Sequence, residues 1–228
     1  MSMSSENPDP DWRPKAIVFD LLTALINSWD LWDASTPSGT PAEGRLWRDR
    51  YLQITFSAGA YVPYENLVKQ SADEVGLPPS SPEALLRGWE TLQPWPEVGE
   101  VLRALRAKGY KLAVVTNCST LLGHLAVRGV EKSASEGNDK AFAFDAIVTA
   151  EESGFYKPVK AAYEAALAAV GLEPRDVLFV AGSAGDVQGA TDAGMKVVWH
   201  NKVGLAKKGE AVPLKEGRSL NDALVDFL

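Results

Sequence analysis

Polar residues that could carry out nucleophilic chemistry follow four apolar runs of the chain. Asp20 ends the first run, Thr116 and Asn117 end the second, Lys157 follows the third and Asp186 follows the fourth. A carboxylate such as Asp20 can attack an electrophilic carbon, and a nearby ammonium group would keep it ionised. A second carboxylate could activate water or orient the lysine. Each residue alone could merely cap a turn, but four in this order predict one hydrolytic site.

The elements that would position these side chains alternate between strand and helix patterns. Helical patterns fill 97–108 and 160–170, and a last helix is predicted over 219–228 with Ser219 as its N-cap. Between them, short apolar runs typical of buried parallel strands occur at 16–19, 111–116, 145–148, 176–180 and 196–199. This alternation predicts an α/β fold with a Rossmann-like parallel sheet. Ligands bind outside the carboxyl ends of such strands, where the polar residues would converge.

One interval breaks the alternation of strands and helices. Residues 28–94 contain no convincing buried strand but have helical patterns at 43–56, 65–75 and 82–91. We interpret this interval as an all-helical cap domain. It is inserted into an α/β core domain that comprises residues 14–27 and 95–228.

Composition argues against several classes of partner and site. The 228 residues carry a net charge of -7, which argues against nucleic-acid partners and against docking on an anionic membrane. No apolar run approaches the roughly 18 residues that span a bilayer, and the amino terminus lacks the features of a secretion signal. Residues 1–13 are polar and are predicted to be a flexible tail. One cysteine and two histidines argue against a disulfide or a metal centre built on them, so we expect a cytoplasmic protein with no metal and no cofactor.

Four segments together resemble the sequence motifs of the haloacid dehalogenase superfamily. They are Phe19-Asp20-Leu21-Leu22-Thr23-Ala24-Leu25, Val115-Thr116-Asn117, Tyr156-Lys157-Pro158 and Gly182-Ser183-Ala184-Gly185-Asp186. The resemblance includes a helical cap inserted after the first motif. It implies a hydrolase in which Asp20 forms an aspartyl ester, Lys157 neutralises the crowded charges and Asp186 is the third catalytic residue.

Two motif positions distinguish the chain from the phosphatases of this superfamily. Those enzymes carry a second aspartate two residues after the nucleophile, where this chain has Leu22, which cannot transfer a proton. They also carry a pair of acidic residues in the fourth motif that holds magnesium. Here the residue before Ser183 is Gly182, which leaves Asp186 alone. Since Mg²⁺ prefers near-octahedral oxygen ligation, magnesium-dependent phosphoryl transfer is disfavoured.

The 2-haloacid dehalogenase branch of the superfamily resembles the chain more closely. Its members need no metal and have an apolar or aromatic residue where Leu22 stands. They carry an arginine early in the cap, in a Trp-Arg-x-x-x-Leu context that Trp47, Arg48 and Leu52 match. Tyr163 matches a family tyrosine near the lysine.

The resemblance also implies which residues contact the substrate. Arg48 would bind the substrate carboxylate or the leaving group, because a planar guanidinium suits carboxylates. Thr116 and Asn117 could donate hydrogen bonds to the substrate carboxylate or to the attacking oxygen. Tryptophans of the cap could close an apolar lid over the site, or could simply pack the cap helices. The remaining candidate substrate-binding residues are Leu22, Trp29 and Ser183.

Two motifs depart from this branch and leave alternatives open. The threonine expected four residues after the nucleophile is Ala24, with Thr23 one place early, and the fourth motif lacks the asparagine and tryptophan of the branch. We expect a metal-independent hydrolase that displaces a leaving group at C2 of a small 2-substituted carboxylic acid. The alternatives are an azetidine-2-carboxylate ring-opening hydrolase, a small-molecule phosphatase, and an inactive scaffold that binds a ligand or partner. A homodimer is also left open.

Overall fold

The computed structural model describes residues 12–137 and 140–228. In these ranges six parallel strands form one sheet in the order β3-β2-β1-β4-β5-β6. This sheet confirms the predicted α/β fold with a Rossmann-like core. The strands are β1 (Ala16–Asp20), β2 (Lys111–Thr116), β3 (Ala146–Thr149), β4 (Val177–Ala181), β5 (Lys196–His200) and β6 (Lys215–Gly217).

Ten α-helices accompany the sheet in the described ranges, and none of them is long and apolar enough to cross a membrane. Short 3-10 helices lie at Trp89–Thr91 and Pro174–Asp176. The α-helices are α1 (Trp29–Ala34), α2 (Pro41–Ala58), α3 (Tyr64–Glu74), α4 (Ser80–Arg87), α5 (Val98–Ala107), α6 (Thr120–Ser135), α7 (Ala150–Ser153), α8 (Lys160–Val170), α9 (Ala184–Asp192) and α10 (Leu220–Ala223).

Alternate side chains of the strands enter two hydrophobic cores, one on each face of the sheet. Ile17 and Phe19 of β1 face the core formed with α5, α6 and α10. Ala16 and Val18 face the core formed with α8 and α9. Because both faces are covered, β4 and the part of β1 up to Phe19 are continuous apolar runs rather than alternations of apolar and polar residues.

The carboxyl end of β1 lies at a topological switch of the sheet. β1 pairs with β2 on one side and with β4 on the other, so successive strands extend the sheet in opposite directions from it. Phe19 pairs with both Val114 and Val180, which keeps the three strands in register. Loops that diverge from such a switch leave a crevice at the strand ends, and ligands bind there. Asp20, the last residue of β1, lies at this crevice.

The segment between β1 and α5 contains α1 to α4. An edge-to-face pair with ring centroids 4.6 Å apart joins Trp32 of α1 to Trp47 of α2. An isolated antiparallel bridge between Ile26 and Pro94 joins the stretch that leads from β1 into this segment to the stretch that leads from it to α5. The division of the chain into a cap domain of residues 28–94 and a core domain stays a prediction.

Short elements differ most from the sequence-based expectation. The six residues of α1 and the three of β6 are too few to show a periodic pattern, so the sequence predicts neither. The last helix is expected to reach residue 228, but α10 ends at Ala223. Its start is confirmed, since the Ser219 hydroxyl accepts a hydrogen bond from the Asp222 amide.

Of the tail predicted over residues 1–13, residues 1–11 lie outside the described residues. Trp12 differs from the predicted flexibility. Its indole packs edge-on against Phe227 with ring centroids 6.2 Å apart, and its Nε1 donates to the Arg175 carbonyl oxygen. A large aromatic ring gains enough apolar contact to hold this part of the chain on the core.

Gly44 of α2 lets α1 and α2 approach closely, since a Cβ there would overlap Asp33 Oδ1 and lie 2.7 Å from Asp33 Cα. We expect Gly44→Ala to lower the free energy of unfolding by about 1–3 kcal/mol, the usual cost of overpacking. Chemical denaturation followed by circular dichroism measures this change.

The matched control is Gly129→Ala in α6, where the nearest atom to an added Cβ, the Leu92 carbonyl oxygen, is 3.8 Å away. Alanine should stabilise the helix there by up to about 1 kcal/mol. Equal stability of the Gly44 and Gly129 variants would contradict the close approach of α1 and α2.

Candidate active site

The two carboxylate oxygens of Asp20 lie in different environments. Oδ2 accepts three hydrogen bonds from the loop that follows β1: from the Thr23 amide at 3.0 Å, the Thr23 hydroxyl at 2.6 Å and the Ala24 amide at 3.1 Å. Oδ1 accepts one from Lys157 Nζ at 2.8 Å. Oδ2 is therefore held by the protein, whereas Oδ1 keeps a lone pair available for chemistry.

The loop that holds Asp20 is itself held by two buried side chains. Trp95 Nε1 donates to the Thr23 carbonyl oxygen at 3.1 Å, and His200 Nδ1 lies 2.8 Å from the Ala24 carbonyl oxygen. A carbonyl can only accept, so Nδ1 carries the proton. Burial lowers the pKa of His200, which favours its neutral form. Sequence reasoning missed both roles, because these two residues lie far from Asp20 along the chain.

Lys157 lies between two carboxylates in the interior. Its Nζ donates to Asp20 Oδ1 at 2.8 Å and to Asp186 Oδ2 at 3.1 Å, and the side chain is 2% exposed. Asn117 holds the lysine backbone on both sides: its Oδ1 accepts from the Lys157 amide at 2.7 Å, and its Nδ2 donates to the Lys157 carbonyl at 2.9 Å. This geometry supports a positioning role for Asn117, and the donation of a hydrogen bond to substrate stays a prediction.

Asp186 lies in the first turn of α9, where the helix dipole favours a negative charge. Ser183 is the N-cap of α9, and its hydroxyl accepts from the Asp186 amide at 3.3 Å and lies 3.2 Å from Asp186 Oδ2. Tyr163 donates its hydroxyl to Asp186 Oδ1 at 2.8 Å. Each oxygen of Asp186 therefore has a donor, which fixes the carboxylate beside Lys157.

The three buried charges shift one another's pKa values. Burial raises the pKa of Asp20, but the Lys157 ammonium and the hydrogen bonds from Lys157 and Thr23 outweigh it and hold that pKa below its usual value. Burial also raises the pKa of Asp186, and the neighbouring Asp20 adds to this effect, so the net shift is upward. Burial lowers the pKa of Lys157, but the two carboxylates more than reverse this and raise it. Asp20 is thus the stronger acid, and Asp186 is the better base.

Arg48 of α2 brings a second buried cation to the site. Its guanidinium carbon lies 3.9 Å from the centroid of the Trp29 ring, and Nη1 donates to the Ser28 hydroxyl at 2.9 Å. Its Nε has no hydrogen-bond partner among the described residues. Burial lowers the pKa of Arg48 to about 10, so it remains a cation at neutral pH. A buried guanidinium with a free donor and no carboxylate against it is suited to binding an anion.

A cavity of about 50 Å³ lies over Asp20. Thr116 is the one predicted site residue that does not line it. Its Cγ2 would lie 3.4 Å from a Cβ at Gly123 of α6, and its buried hydroxyl has no hydrogen-bond partner among the described residues. The predicted contact of Thr116 with substrate stays a prediction. The remaining predicted residues line the cavity together: Asp20, Leu22, Trp29, Arg48, Asn117, Lys157, Ser183 and Asp186.

The cavity also has a wall of side chains that sequence reasoning did not include. Tyr51, Leu52 and Phe56 come from α2, and Leu205 comes from the loop after β5. Tyr51 and Leu52 follow Arg48 by three and four residues, and side chains at this spacing share a helix face, so the spacing was the available signal.

The residues around Asp20 do not form an evident cation site. Within the described ranges, no three His, Cys, Asp or Glu side chains come together in a way that could hold a metal ion. The space between Asp20 and Asp186 is filled by the Lys157 ammonium. The donor set therefore suits an internal cation supplied by lysine better than Mg²⁺.

Two unusual motif positions prove to be coupled in space. A Cβ at Gly182 would overlap Thr23 Oγ1 and lie 2.6 Å from the Thr23 carbonyl carbon. Glycine at 182 therefore makes room both for the backbone at Thr23 and Ala24 and for the Thr23 hydroxyl. The Thr23 hydroxyl then reaches Asp20 Oδ2, although Ala24 occupies the position where the motif expects a threonine.

Thr23→Val keeps the shape of the side chain but removes its hydrogen bond to Asp20. Such a bond to a charged group contributes about 1.5–3 kcal/mol, so we expect kcat/KM on a 2-substituted acid to fall by about ten- to hundred-fold. Steady-state hydrolysis rates measure the effect. Thr23→Ser should retain most activity, and Thr91→Val, at an exposed hydroxyl that bonds Gly88, serves as the matched control. Full activity of the valine variant would contradict the role of the hydroxyl.

The chain is similar to known hydrolases. A family model described as haloacid dehalogenase-like hydrolase matches residues 33–194. The chain is 31% identical over 210 residues to a haloacetate dehalogenase of Moraxella sp. (strain B), and this match covers 84% of this chain and 88% of that protein. It is 29% identical over 225 residues to an (S)-2-haloacid dehalogenase of Pseudomonas putida, and this match covers 91% of this chain and 95% of that protein.

A solved structure gives the same result for the fold. The crystal structure of an L-2-haloacid dehalogenase superposes with a TM-score of 0.77 at 26% identity, and the match covers 93% of this chain and 97% of that one. With the family model matching more than half of its residues, the chain belongs to the haloacid dehalogenase-like hydrolases.

Proposed function

We propose that this protein is a metal-independent 2-haloacid dehalogenase, which hydrolyses the carbon–halogen bond of a small 2-haloacid through an ester of Asp20. The observation that carries the proposal is the asymmetry of Asp20. One carboxylate oxygen is held by three donors of the loop, the other accepts from Lys157, and Asp20 lines the cavity. The activities of the relatives support the choice of substrate class.

In the first step Asp20 Oδ1 attacks C2 of the haloacid and the halide leaves with the bonding electron pair. The substrate carboxylate brings a negative charge close to the anionic nucleophile. Arg48 has free donor capacity in the same cavity and offsets this repulsion. A halide is a very weak base and needs no proton to leave, which agrees with the apolar Leu22 where a phosphatase would have an acid.

In the second step water attacks Cγ of the Asp20 ester. The carbonyl oxygen of this ester is Oδ2, so the negative charge that develops there meets the two amides and the hydroxyl already aimed at it. Asp186, whose pKa is raised, accepts the proton of the water. The bond between Cγ and Oδ1 breaks, and the 2-hydroxy acid leaves with Oδ1 and takes the proton that Asp186 accepted, while the second proton of the water goes to solvent as Asp20 ionises again. Asp20 keeps the oxygen of the water.

A substrate panel separates this proposal from its alternatives. We expect chloride release from chloroacetate or from one enantiomer of 2-chloropropionate, unaffected by excess EDTA and not increased by Mg²⁺. Azetidine-2-carboxylate and an aryl phosphate should react poorly. Asp20→Asn is the control, because a neutral amide is a poor nucleophile. Phosphate release that EDTA abolishes and Mg²⁺ restores would overturn the proposal, and an inactive scaffold would turn over none of the panel.

Oxygen-18-labelled water tests the covalent step directly. In a single turnover with excess enzyme, the label should enter the Asp20 side chain, and the first 2-hydroxy acid formed should be unlabelled. Mass spectrometry of the peptide that contains Asp20 and of the product measures both. Labelled product with an unlabelled Asp20 peptide would mean that water attacks the substrate itself.

Two further expectations concern the setting of the enzyme. A cytoplasmic location and a homodimer both stay predictions. The catalytic steps above use residues of one chain alone.

A further inference from the structure

A second cavity adjoins the catalytic one. The catalytic cavity has a volume of about 50 Å³, and the outer cavity has about 260 Å³. Both are lined by Trp29, Leu52, Phe56, Ser183 and Leu205, so these residues border both cavities. Asp20, Lys157 and Asp186 line the inner cavity and not the outer one.

The inner cavity is too small for a long substrate. One water-sized group needs roughly 10–15 Å³ of such volume, so the inner cavity accommodates about four of these groups. A haloacetate already has about five non-hydrogen atoms, so a short acid fills this volume. A longer alkyl chain at C2 would have to extend into the outer cavity, past the side chains that both cavities share.

Among the shared side chains, Phe56 is the one whose position depends on a glycine, because its ring lies where a side chain at position 185 would lie. A Cβ at Gly185 would lie 2.8 Å from Phe56 Cε2 and 3.0 Å from Cζ. The ring of Phe56 therefore lies against the backbone of Gly185, in the first turn of the helix that carries Asp186. It occupies the volume that any larger residue at position 185 would fill.

We infer that Phe56, lying against Gly185, sets the upper size limit of the acid that this enzyme accepts. Acids of two or three carbons fit in front of the ring, and longer 2-haloacids are excluded by it. Removing the ring joins the two cavities and gives the alkyl chain a path outward. This inference rests on the proposed dehalogenase function and names the substrate class of the same site.

The other shared side chains are less suited to this role. Trp29 supports the guanidinium of Arg48 at 3.9 Å, so its loss would disturb substrate binding as a whole. Ser183 caps α9 and holds Asp186. Leu52 and Leu205 are smaller, and removing either opens less space. Phe56 is a large ring for which the structure gives no hydrogen bond or ion pair to a catalytic residue.

The test compares chain-length preference in the wild type and in Phe56→Ala. The substrates are bromoacetate, 2-bromopropionate, 2-bromobutyrate and 2-bromohexanoate, followed by bromide release. Because one misplaced methylene in an apolar pocket changes kcat/KM by about 10–200-fold, we expect the wild type to discriminate strongly against 2-bromohexanoate. Phe56→Ala should lower the ratio of kcat/KM for bromoacetate to kcat/KM for 2-bromohexanoate by about ten-fold or more. Phe56→Leu should narrow it less.

Phe142→Ala is the matched control, because Phe142 is a partly buried ring that packs on Phe144 and lines neither cavity. It should leave the ratio unchanged. A readout without chemistry uses Asp20→Asn, alone and combined with Phe56→Ala. Titration calorimetry with acetate and hexanoate should show that only the combined variant binds hexanoate as well as acetate.

The outcomes separate the two proposals. If the wild type releases bromide from none of these acids, the proposed function fails. If the wild type is active but the ratio is the same in Phe56→Ala, or if it already accepts 2-bromohexanoate as well as bromoacetate, the role of Phe56 is overturned while the dehalogenase function stands. A changed ratio in Phe142→Ala of the same size would also overturn it.

Discussion

The buried ammonium of Lys157 is the interaction on which the rest of the site depends. Asp20 and Asp186 are both buried, and two carboxylates in the interior would repel each other and lose their hydration. Lys157 bonds one oxygen of each, so it allows both to ionise where water is scarce. Removing the lysine would leave two unpaired buried charges, which is far more costly than losing an exposed ion pair. The same contact keeps the nucleophile anionic and separates its pKa from that of Asp186.

A charge held this way is useful only if its position is fixed, and hydrogen bonds from several elements fix it. Asn117, at the end of β2, holds the backbone of Lys157 through both atoms of its amide. Trp95 and His200 hold the two carbonyl groups of the loop whose amides point at Asp20. The donors around Oδ2 are thus in place before any charge develops there, and little reorganisation is needed during the reaction.

At two positions where this chain departs from the dehalogenase motifs, a glycine lies against a side chain from another part of the chain. Thr23 stands one place early, and Gly182 leaves the room that its side chain needs. Gly185 leaves the room for Phe56, which reaches the site from α2. In each pair a glycine has no Cβ where another side chain lies, so the site keeps a hydroxyl donor and an apolar wall. A hydroxyl donor or an apolar wall can therefore come from a residue at another position of the sequence. For this reason, a difference at one motif position alone does not predict a lost activity.

The sequence by itself determined the α/β class, and it predicted that Asp20, Lys157 and Asp186 meet at one site, because these follow from local signals. Buried parallel strands are continuous apolar runs, and the crevice at their carboxyl ends collects whatever polar residue ends each run. Tertiary structure alone decided that Asn117 holds the backbone of Lys157, since these residues lie 40 positions apart along the chain. It also decided that Phe56, Trp95 and His200 serve the site. Their contacts with Gly185 and with the loop after Asp20 span long stretches of sequence, and such contacts exist only after the sheet and helices have packed.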